Sequence, residues 1–285
     1  MIRFLLPALL LALPSIAGAV VIRDDVDDSR YRVPDSEFPA LVDMPGQGHG
    51  VLIAPQWVVT AAHTIPWHAE LERVVIAGIP REVDRVVLHP GYERPPQDLI
   101  DHAVATGEAI LLLVQLASSD DIALVRLEAP VTDVVPAGLY EQDVVPGQVV
   151  ELLGKGATGT GATGHGNDGP NRTELRRAFN TITSTRDRWF CYVFDEPSSA
   201  LPLEGALGNG DSGGPLLVQA DGQRRLAGLA AWKVVPGHVV KSRPGRYGQP
   251  TCNVRLSHYS AWIESVLGGQ PQADDGPAPS APGDV

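Results

Sequence analysis

The sequence predicts a mostly β protein whose short antiparallel strands form a barrel or a sandwich. Helix-favouring residues are scarce beside Val, Thr, Gly and Pro, and this composition favours strands and turns. Short Val/Ile/Leu-rich segments separated by Gly and Pro run from Glu37 to Leu127, and a second series runs from Val144 to Leu256. With 285 residues, of which 44% are hydrophobic, the chain is long enough to bury a sizeable core in one or two domains.

The N-terminus has the pattern of a signal peptide. Met1-Ile2-Arg3 is a short basic segment, the apolar run 4–13 follows it, and Ala17 and Ala19 supply the small residues of a cleavage site. The apolar run is too short to span a bilayer, and no later segment of the sequence qualifies as a membrane helix. We therefore expect residues 1–19 to be removed on export, which leaves a secreted or periplasmic protein. An uncleaved anchor or a buried N-terminal helix is the alternative.

Two segments depart from the strand pattern. Apolar residues recur at helical spacing within residues 97–117, which predicts a helical insertion in the first series of strands. Residues 259–267 predict a short terminal helix, because a pair of glycines follows them. Residues 269–285 are largely Pro, Gly, Ala and Asp and have almost nothing to bury, so we expect a disordered tail. These features divide the chain into an N-terminal half, residues 20–143, and a C-terminal half, residues 144–268.

Charge and cysteine content exclude several classes of function. Lys and Arg total 22 and Asp and Glu total 34, so the formal net charge is −12. Such a chain repels phosphate backbones, which disfavours nucleic acid as a partner. The two cysteines, Cys191 and Cys252, are too few for a disulfide-rich scaffold or for a zinc or iron–sulfur site built from cysteine. His49 and His68 lie near His63 without acidic residues at metal-ligand spacing, so we expect no metal and no other cofactor.

Three segments carry residues suited to nucleophilic catalysis. Residues 58–62 form the end of a predicted strand that presents His63, and Asp121 immediately precedes another apolar strand. Ser212 lies in Gly210-Asp211-Ser212-Gly213-Gly214-Pro215, where the glycines let the backbone approach a ligand closely. A serine hydroxyl is a weak nucleophile unless a base removes its proton. A histidine can do so when a carboxylate holds the imidazole in the correct tautomer.

Together with their flanks, these segments resemble the trypsin/chymotrypsin family of serine endopeptidases. The resemblance rests on residues 52–63, on Asp121-Ile122-Ala123-Leu124 and on residues 210–215, which occur in the order of the family. It covers roughly residues 37–267. It implies an all-β fold of two six-stranded antiparallel β-barrels of the chymotrypsin type, with the active site in the crevice between them. The helical insertion and the short C-terminal helix add to this fold.

The resemblance implies a role for each of the three residues. Ser212 is the expected nucleophile, His63 the general base and then acid, and Asp121 the orienting carboxylate. The backbone N–H groups of Gly210 and Ser212 are expected to form the oxyanion hole. Asp120 is adjacent to Asp121, but the family motif places the acid directly before Ile-Ala-Leu. The expected reaction is hydrolysis of a protein or peptide substrate through an acyl-enzyme, by a monomer without stable membrane association.

The expected substrate pocket departs from the family pattern. Ala206 stands where trypsin-like enzymes carry Asp, which disfavours cleavage after Arg or Lys. Lys233 and Thr251 replace two pocket glycines and favour a small apolar residue at P1, the substrate residue before the scissile bond. Lys233 is either a solvated lysine at the pocket rim, the favoured interpretation, or a cation for an acidic P1 residue. Ala231 replaces the serine that helps to hold the catalytic Asp, so a weakly active or inactive binding module is the alternative function.

The activation terminus departs from the family pattern as well. The usual Ile-Val-Gly-Gly motif is absent. Cleavage after Ala19 would instead expose Val20-Val21-Ile22, and we expect the new ammonium group of Val20 to pair with Asp211. A frayed terminus, with Asp211 bonded otherwise, is equally compatible with the sequence.

The disulfide pattern is the third departure. Thr64 and Gly208 stand at positions where the family usually has cysteine, and Gly48 stands near the expected partner of Thr64, so whole pairs are missing. Cys191 and Cys252 lie on segments that the resemblance makes neighbouring strands of the second barrel. We therefore expect a disulfide between them, and two isolated buried thiols are the alternative.

Overall fold

The computed structural model describes residues 20–108, 110–166, 174–234 and 243–268. It confirms the predicted fold class, because twelve of its strands form two closed six-stranded barrels. The predicted signal peptide, residues 1–19, and the predicted tail, residues 269–285, lie outside the described residues. None of the helices in the described ranges is long and apolar enough to cross a membrane.

The described residues form strands, three α-helices and four 3-10 turns. In chain order the strands are β1 (Val21–Ile22), β2 (Leu41–Asp43), β3 (His49–Ala54), β4 (Trp57–Thr60), β5 (Arg73–Ile76), β6 (Ile79–Leu88), β7 (Ala123–Leu127), β8 (Val149–Gly154), β9 (Gly159–Thr160), β10 (Gly164–His165), β11 (Arg176–Arg186), β12 (Trp189–Val193), β13 (Gly205–Ala206), β14 (Pro215–Ala220), β15 (Gln223–Lys233) and β16 (Pro250–Arg255). The helices are α1 (Gln97–Thr106), α2 (Ile110–Ser118) and α3 (Ser260–Leu267). The 3-10 turns are Asp28–Arg30, Asp35–Glu37, Ala62–Thr64 and Leu256–Tyr259.

The first barrel closes in the order β2-β3-β4-β7-β6-β5. Its strands β4 and β7 are buried almost throughout, which agrees with their runs of Val, Leu and Ala. Their side chains belong to an apolar cluster that continues into the second barrel through Trp189, Leu217 and Leu229. Burial of one such Val or Leu side chain is worth about 1.5–3 kcal/mol, so this shared cluster is a main source of stability.

The second barrel closes in the order β11-β12-β16-β15-β14-β8. Aromatic side chains fill much of its interior, and Phe190 and Tyr192 of β12 are fully buried. Cys191 of the same strand lies directly opposite Cys252 of β16, with 4.1 Å between their Cα atoms. The expected disulfide between these two residues is present in the structure.

The helical insertion lies between β6 and β7 and consists of two helices rather than one. The helix α1 ends at Gly107, which has a left-handed backbone (φ 81°) and donates its N–H to the carbonyl of Ala103. Glycine adopts this conformation at little cost, so it terminates the helix. The helix α2 then extends to Ser118, one residue beyond the predicted insertion 97–117.

The two ends of the described chain pack against the barrel of the other half. The strand β1 pairs antiparallel with β13 and parallel with β9, both in the C-terminal half. Tyr31 is buried in the apolar cluster of the second barrel, and its hydroxyl donates to the carbonyl of Glu204. Trp262 of α3, the predicted terminal helix, contacts the ring of His89, which follows β6 of the first barrel. The division between residues 143 and 144 therefore separates the barrels but not these terminal segments.

Removing the disulfide is expected to lower the free energy of unfolding. The bond closes a loop across a sequence separation of 61 residues. In the variant C191A/C252A the unfolded chain regains the freedom of that loop, and the expected loss is about 4 kcal/mol. Urea-induced unfolding of the variant and the wild-type protein, both without reductant, measures the difference. Equal free energies of unfolding would contradict the prediction, as would two titratable thiols in the denatured, unreduced wild-type protein.

Candidate active site

His63 and Asp121 meet because the strands that carry them are neighbours. The strands β4 and β7 pair antiparallel, with Thr60 opposite Ala123. His63 follows the last residue of β4 within a 3-10 turn, and Asp121 lies just before the first residue of β7. In an antiparallel pair these two positions are at the same end of the sheet. The pairing of the strands therefore places the histidine next to the carboxylate.

The two side chains are in direct hydrogen-bond contact. His63 Nδ1 lies 2.7 Å from Asp121 Oδ2, and the backbone N–H of His63 donates to Asp121 Oδ1 at 2.9 Å. Asp121 is only 2% exposed, and a buried carboxylate of this kind requires such partners. The contact at Nδ1 orients the imidazole and leaves Nε2 as the atom able to accept a proton.

The pKa of His63 is set by two opposing effects. Burial lowers the pKa, because it disfavours the charged imidazolium. The negative charge of Asp121 and its hydrogen bond to the ring raise the pKa, and together they prevail. The pKa of His63 therefore lies above its ordinary value of 6.5. The imidazole is a base in its neutral form, above this raised pKa.

Ser212 lies in the second barrel, in the serine turn (residues 209–214) that leads into β14. Gly210 and Gly213 in this turn have left-handed backbones, with φ of 88° and 73°. A Cβ atom at Gly213 would lie 2.2 Å from the carbonyl oxygen of His49, so only glycine fits there. The N–H of His49 donates to the carbonyl of Ser212 at 2.7 Å. The serine turn is thus seated against β3, in the barrel that also carries the histidine and the carboxylate.

The space beside Ser212 is open and carries free backbone donors. Within the described part of the chain, the N–H groups of Gly210 and Ser212 have no hydrogen-bond acceptor. A cavity of about 330 Å³ adjoins these two residues and is also lined by His63. Thr64 and Trp67 are among the residues of its other walls. This arrangement can bind a carbonyl group whose oxygen gains negative charge, next to a nucleophile and a base.

Asp211, the residue before Ser212, is fully buried and holds the serine turn. Its Oδ1 accepts the N–H of Gly156 at 2.7 Å, and its Oδ2 accepts the N–H of Gly208 at 2.6 Å. Burial raises the pKa of Asp211 to about 6, although the two hydrogen bonds oppose this rise. Asp211 therefore keeps its charge at neutral pH without a strong ionic partner.

Val20, the expected activation terminus, lies in the half of the molecule that contains Asp211. It is fully buried and packs beside Gly205. The strand β1 that follows it pairs with β13, from which the chain leads directly to Gly208 and Asp211. Within the described residues no hydrogen bond joins Val20 to Asp211, whose carboxylate is bonded to backbone N–H groups instead.

A fully buried tyrosine lies between two of the expected pocket residues. Ala206 and Thr251 are themselves buried, with 1% and 3% exposure. Tyr192 lies opposite Thr251 in the pairing of β12 with β16, and its hydroxyl is hydrogen-bonded to the Thr251 side chain. The same hydroxyl accepts the N–H of Leu207, the neighbour of Ala206. Tyr192 therefore links the segments that carry these two expected pocket residues.

Lys233 does not have the position of a solvated rim lysine. It is half-buried, and its Nζ lies 3.5 Å from Asn209 Oδ1 in the serine turn. Burial lowers the pKa of Lys233 to about 8, and the charge of Asp211 acts in the opposite direction. No carboxylate in the described part of the chain lies within 4.0 Å of this ammonium group. The sequence favoured a solvated lysine at the pocket rim. The structure instead places this half-buried side chain against Asn209 of the serine turn.

Sequence reasoning missed three residues around the serine turn: Tyr192, Asn209 and His165. Tyr192 directly follows Cys191 on a strand expected to neighbour the one that carries Cys252 and the pocket residue Thr251, so its aromatic side chain was a usable signal. His165 of β10 is 1% exposed, and burial together with the charge of Lys233 lowers its pKa to about 4. His165 reaches its buried position because β10 pairs with β9, which in turn pairs with β1. No local sequence pattern predicts these pairings.

The histidines outside the His63–Asp121 pair form no metal centre in the described ranges. No group of three or more His, Cys, Asp or Glu side chains there is arranged to hold a metal ion. His49 is fully buried, and its Nε2 lies 3.6 Å from Asp43 Oδ1. Its contacts are those of a structural histidine behind the serine turn.

Comparison with known proteins identifies the family. A family model described as Trypsin matches residues 29–263. The chain is 28% identical over 253 residues to vitamin K-dependent protein C of Rattus norvegicus, an alignment that covers 77% of this chain and 46% of that protein. It is 26% identical over 275 residues to trypsin II-P29 of Gallus gallus, and this alignment covers 91% of this chain and 98% of that protein.

A solved structure supports the same fold. The chain resembles neuropsin, a serine protease expressed in the limbic system of mouse brain, with a TM-score of 0.60 and 20% identity over 83% of this chain and 98% of that one. The chain spans less than half the length of rat protein C and almost all of chicken trypsin II-P29. Because the Trypsin model matches far more than half of the residues, the chain belongs to the trypsin family of serine endopeptidases.

The raised pKa of His63 predicts where peptide hydrolysis is lost on acidification. As the pH falls through this pKa the imidazole becomes protonated, so kcat/KM should fall with a midpoint above 6.5. In Asp121→Asn both raising effects disappear, so the midpoint should move below that of the wild-type protein, and kcat should fall by about 10⁴-fold. A pH–rate profile with one peptide substrate measures both. The same midpoint in both proteins would contradict the role of Asp121.

Proposed function

We propose that the protein is an exported serine endopeptidase that hydrolyses peptide bonds through an acyl-enzyme formed on Ser212. The observation that carries this proposal is the hydrogen bond between Asp121 and His63, because His63 lines a cavity together with Ser212 although the two residues come from different barrels. Membership of the trypsin family supports it. Neither a metal nor another cofactor has a part in the proposed reaction.

The first half of the reaction forms the acyl-enzyme. Ser212 Oγ attacks the substrate carbonyl while His63 Nε2 takes its proton, and Asp121 stabilises the resulting imidazolium. The carbonyl oxygen becomes negative and is bound by the N–H groups of Gly210 and Ser212. His63 then gives the proton to the leaving amine, and the C–N bond breaks. The leaving part of the substrate therefore lies on the His63 side of Ser212, where the cavity continues to Thr64 and Trp67.

The second half repeats the chemistry with water. A water molecule takes the place of the departed amine, and His63 removes its proton as the oxygen attacks the ester carbonyl. The same two N–H groups bind the oxygen of the second tetrahedral intermediate. Return of the proton to Ser212 Oγ releases the carboxylic acid and restores the enzyme.

The P1 residue is proposed to be something other than Arg or Lys. Ala206 provides no carboxylate to bind a cation, and Tyr192 shortens the space beside it. Lys233 adds a positive charge next to the serine turn, which repels a basic side chain. A small apolar P1 residue, as expected from the sequence, would fit a short pocket. It would leave the positive charge of Lys233 without a partner in the substrate.

A binding module without catalytic power is the second candidate function. It is favoured by Ala231, which has no hydroxyl to donate to Asp121. In the described part of the chain, the hydrogen bonds of the Asp121 carboxylate come from His63 alone. The two candidates differ in whether Ser212 is chemically activated.

Covalent labelling with a fluorophosphonate distinguishes the two candidates. The folded mature protein should be labelled at Ser212, because His63 activates the hydroxyl and the oxyanion hole binds the phosphonyl oxygen. Labelling should disappear in Ser212→Ala and slow by at least about 100-fold in His63→Ala. Mass spectrometry of the labelled peptide gives the site. Absence of labelling in the folded wild-type protein would favour the binding module.

Export and activation are proposed to be one event. Removal of residues 1–19 as a signal peptide would create an ammonium group on Val20, which is already buried in the half that contains Asp211. Asp211 lies in the serine turn and has a carboxylate without a strong ionic partner. The new ammonium would supply this partner and stabilise the turn. The mature protein is proposed to act as a secreted or periplasmic monomer.

An N-terminal extension is therefore expected to reduce activity. A form that begins at Gly18 leaves Val20 in a peptide bond, so Asp211 has no ammonium partner and kcat/KM should fall by at least about tenfold. The comparison uses the form that begins at Val20, with both termini verified by N-terminal sequencing. Asp211→Asn in the Val20 form is the matched control and should show a similar loss. Full activity of the extended form would exclude this activation mechanism.

A further inference from the structure

We propose that Lys233 is a specificity-determining residue that binds a carboxylate side chain at P1, so that the enzyme cleaves preferentially after Glu or Asp. This inference rests on the proposed peptidase function and names its substrate class. It replaces the small apolar P1 residue expected from the sequence. Four features of the described residues support it: the position of the ammonium group, the side of Ser212 on which it lies, its charge environment and the depth of the pocket.

The ammonium group of Lys233 lies at the serine turn. Lys233 is the last residue of β15, where it pairs with Thr251 of β16. Its Nζ is 3.5 Å from the side-chain oxygen of Asn209, which directly precedes Gly210. Gly210 supplies one of the two N–H groups that face the substrate carbonyl. Because Asn209 directly precedes a residue that faces the substrate carbonyl, we expect the ammonium group to be within reach of a substrate side chain next to that carbonyl.

The ammonium group lies on the acyl side of the scissile bond. His63 must protonate the leaving amine, so the leaving part of the substrate occupies the cavity lined by His63, Thr64 and Trp67. Lys233 and Asn209 are not among the residues that line this cavity. Lys233 instead pairs with Thr251, which lies opposite Tyr192, and its side chain reaches the first residue of the serine turn, Asn209. The substrate residue that contributes the attacked carbonyl, P1, therefore has its side chain nearest to Lys233.

Lys233 has no direct carboxylate partner within the described part of the chain, although the charge of Asp211 acts on it from a greater distance. No carboxylate there lies within 4.0 Å of Nζ, and both oxygens of the neighbouring Asp211 are bonded to backbone N–H groups. The contact with Asn209 is at the outer limit of hydrogen-bond length, so it is a weak one. Burying an ammonium group costs free energy that a carboxylate from the substrate would offset by a charge-assisted hydrogen bond. Pairing of Asp211 with the Val20 ammonium, as proposed above, would leave Lys233 still more dependent on the substrate.

The residues expected to form the P1 pocket are closely packed, so we expect the pocket to be short. Ala206 and Thr251 are buried, and Tyr192 lies between them with its hydroxyl bonded on both sides. We therefore expect the end of a P1 side chain that enters here to lie close to the ammonium group of Lys233 and not to pass it. The short chains of Asp and Glu fit this depth and bring a negative charge to it.

The test compares four peptide substrates that differ only at P1, which is Glu, Gln, Ala or Arg. Glu and Gln have nearly the same shape, so the ratio of their kcat/KM values reports the charge at P1. The wild-type protein should prefer Glu over Gln by about 10- to 100-fold, the range typical of a hydrogen bond between charged groups. It should also prefer Glu over Ala, and cleavage after Arg should be the slowest.

Two variants assign this preference to Lys233. In Lys233→Met the side chain keeps its length and loses its charge, so the Glu-to-Gln ratio should fall to about 1. Lys155→Met is the matched control, because Lys155 is also half-buried but has Asp35 and Asp43 as carboxylate neighbours, at 3.1 and 3.5 Å. Its Glu-to-Gln ratio should remain that of the wild-type protein. An unchanged ratio in Lys233→Met would overturn the proposal.

The outcome with the wild-type protein separates this inference from the proposed function. Efficient cleavage with a Glu-to-Gln ratio near 1, or with Ala preferred over Glu, would overturn the role of Lys233 and leave the peptidase function intact. No cleavage of the four peptides together with no fluorophosphonate labelling would overturn both. The wild-type comparison requires no substitution, so it stands even if a variant fails to fold.

Discussion

The site depends on one hydrogen bond between the two barrels, from the N–H of His49 to the carbonyl of Ser212. The base and its carboxylate belong to the first barrel and the nucleophile to the second, so a small shift between the barrels would separate them. The peptide group of His49 is fixed on its other side as well, because the hydroxyl of Thr60 donates to its carbonyl at 2.6 Å. Gly213 packs against the same carbonyl, in a space that admits no side chain. Backbone atoms therefore set the relative position of the three residues.

Around this contact, two buried charges have backbone or amide partners in place of ionic ones. Asp211 is held by two N–H groups and Lys233 by the side chain of Asn209. Burial moves both pKa values toward neutrality, to about 6 for the acid and about 8 for the base. Each group is thus incompletely stabilised by the described chain. One is complementary to an ammonium group and the other to a carboxylate; Asp211 directly precedes Ser212, and Lys233 contacts the same turn through Asn209.

Local patterns predicted short antiparallel strands in a barrel or a sandwich, and the two six-stranded barrels were implied by the family resemblance. That resemblance rests on three motifs at strand ends and at the serine turn, which have strong local signatures. The insertion was predicted from helical spacing, whereas its division at Gly107 required the actual conformation of that glycine. The direction of the Lys233 side chain was not predictable, since it depends on a contact with Asn209 from a different segment. The position of Tyr192 and the burial of His165 likewise follow from pairings between distant strands. The features that could not be predicted from the sequence are therefore those that depend on contacts between distant segments.

The exchange of terminal segments has a consequence for how the molecule folds. Val21 pairs with Ala206 of β13, in a four-stranded sheet with strands of the C-terminal half, and Trp262 of α3 packs on His89, which follows β6 of the first barrel. Each half therefore lacks some of its apolar packing contacts until nearly the whole chain has folded. Contacts between segments so far apart in the sequence form slowly, because the chain loses conformational entropy on closing the loop before the contacts stabilise it. The same exchange couples the barrels once they have formed, because unfolding of one half removes apolar contacts from the other.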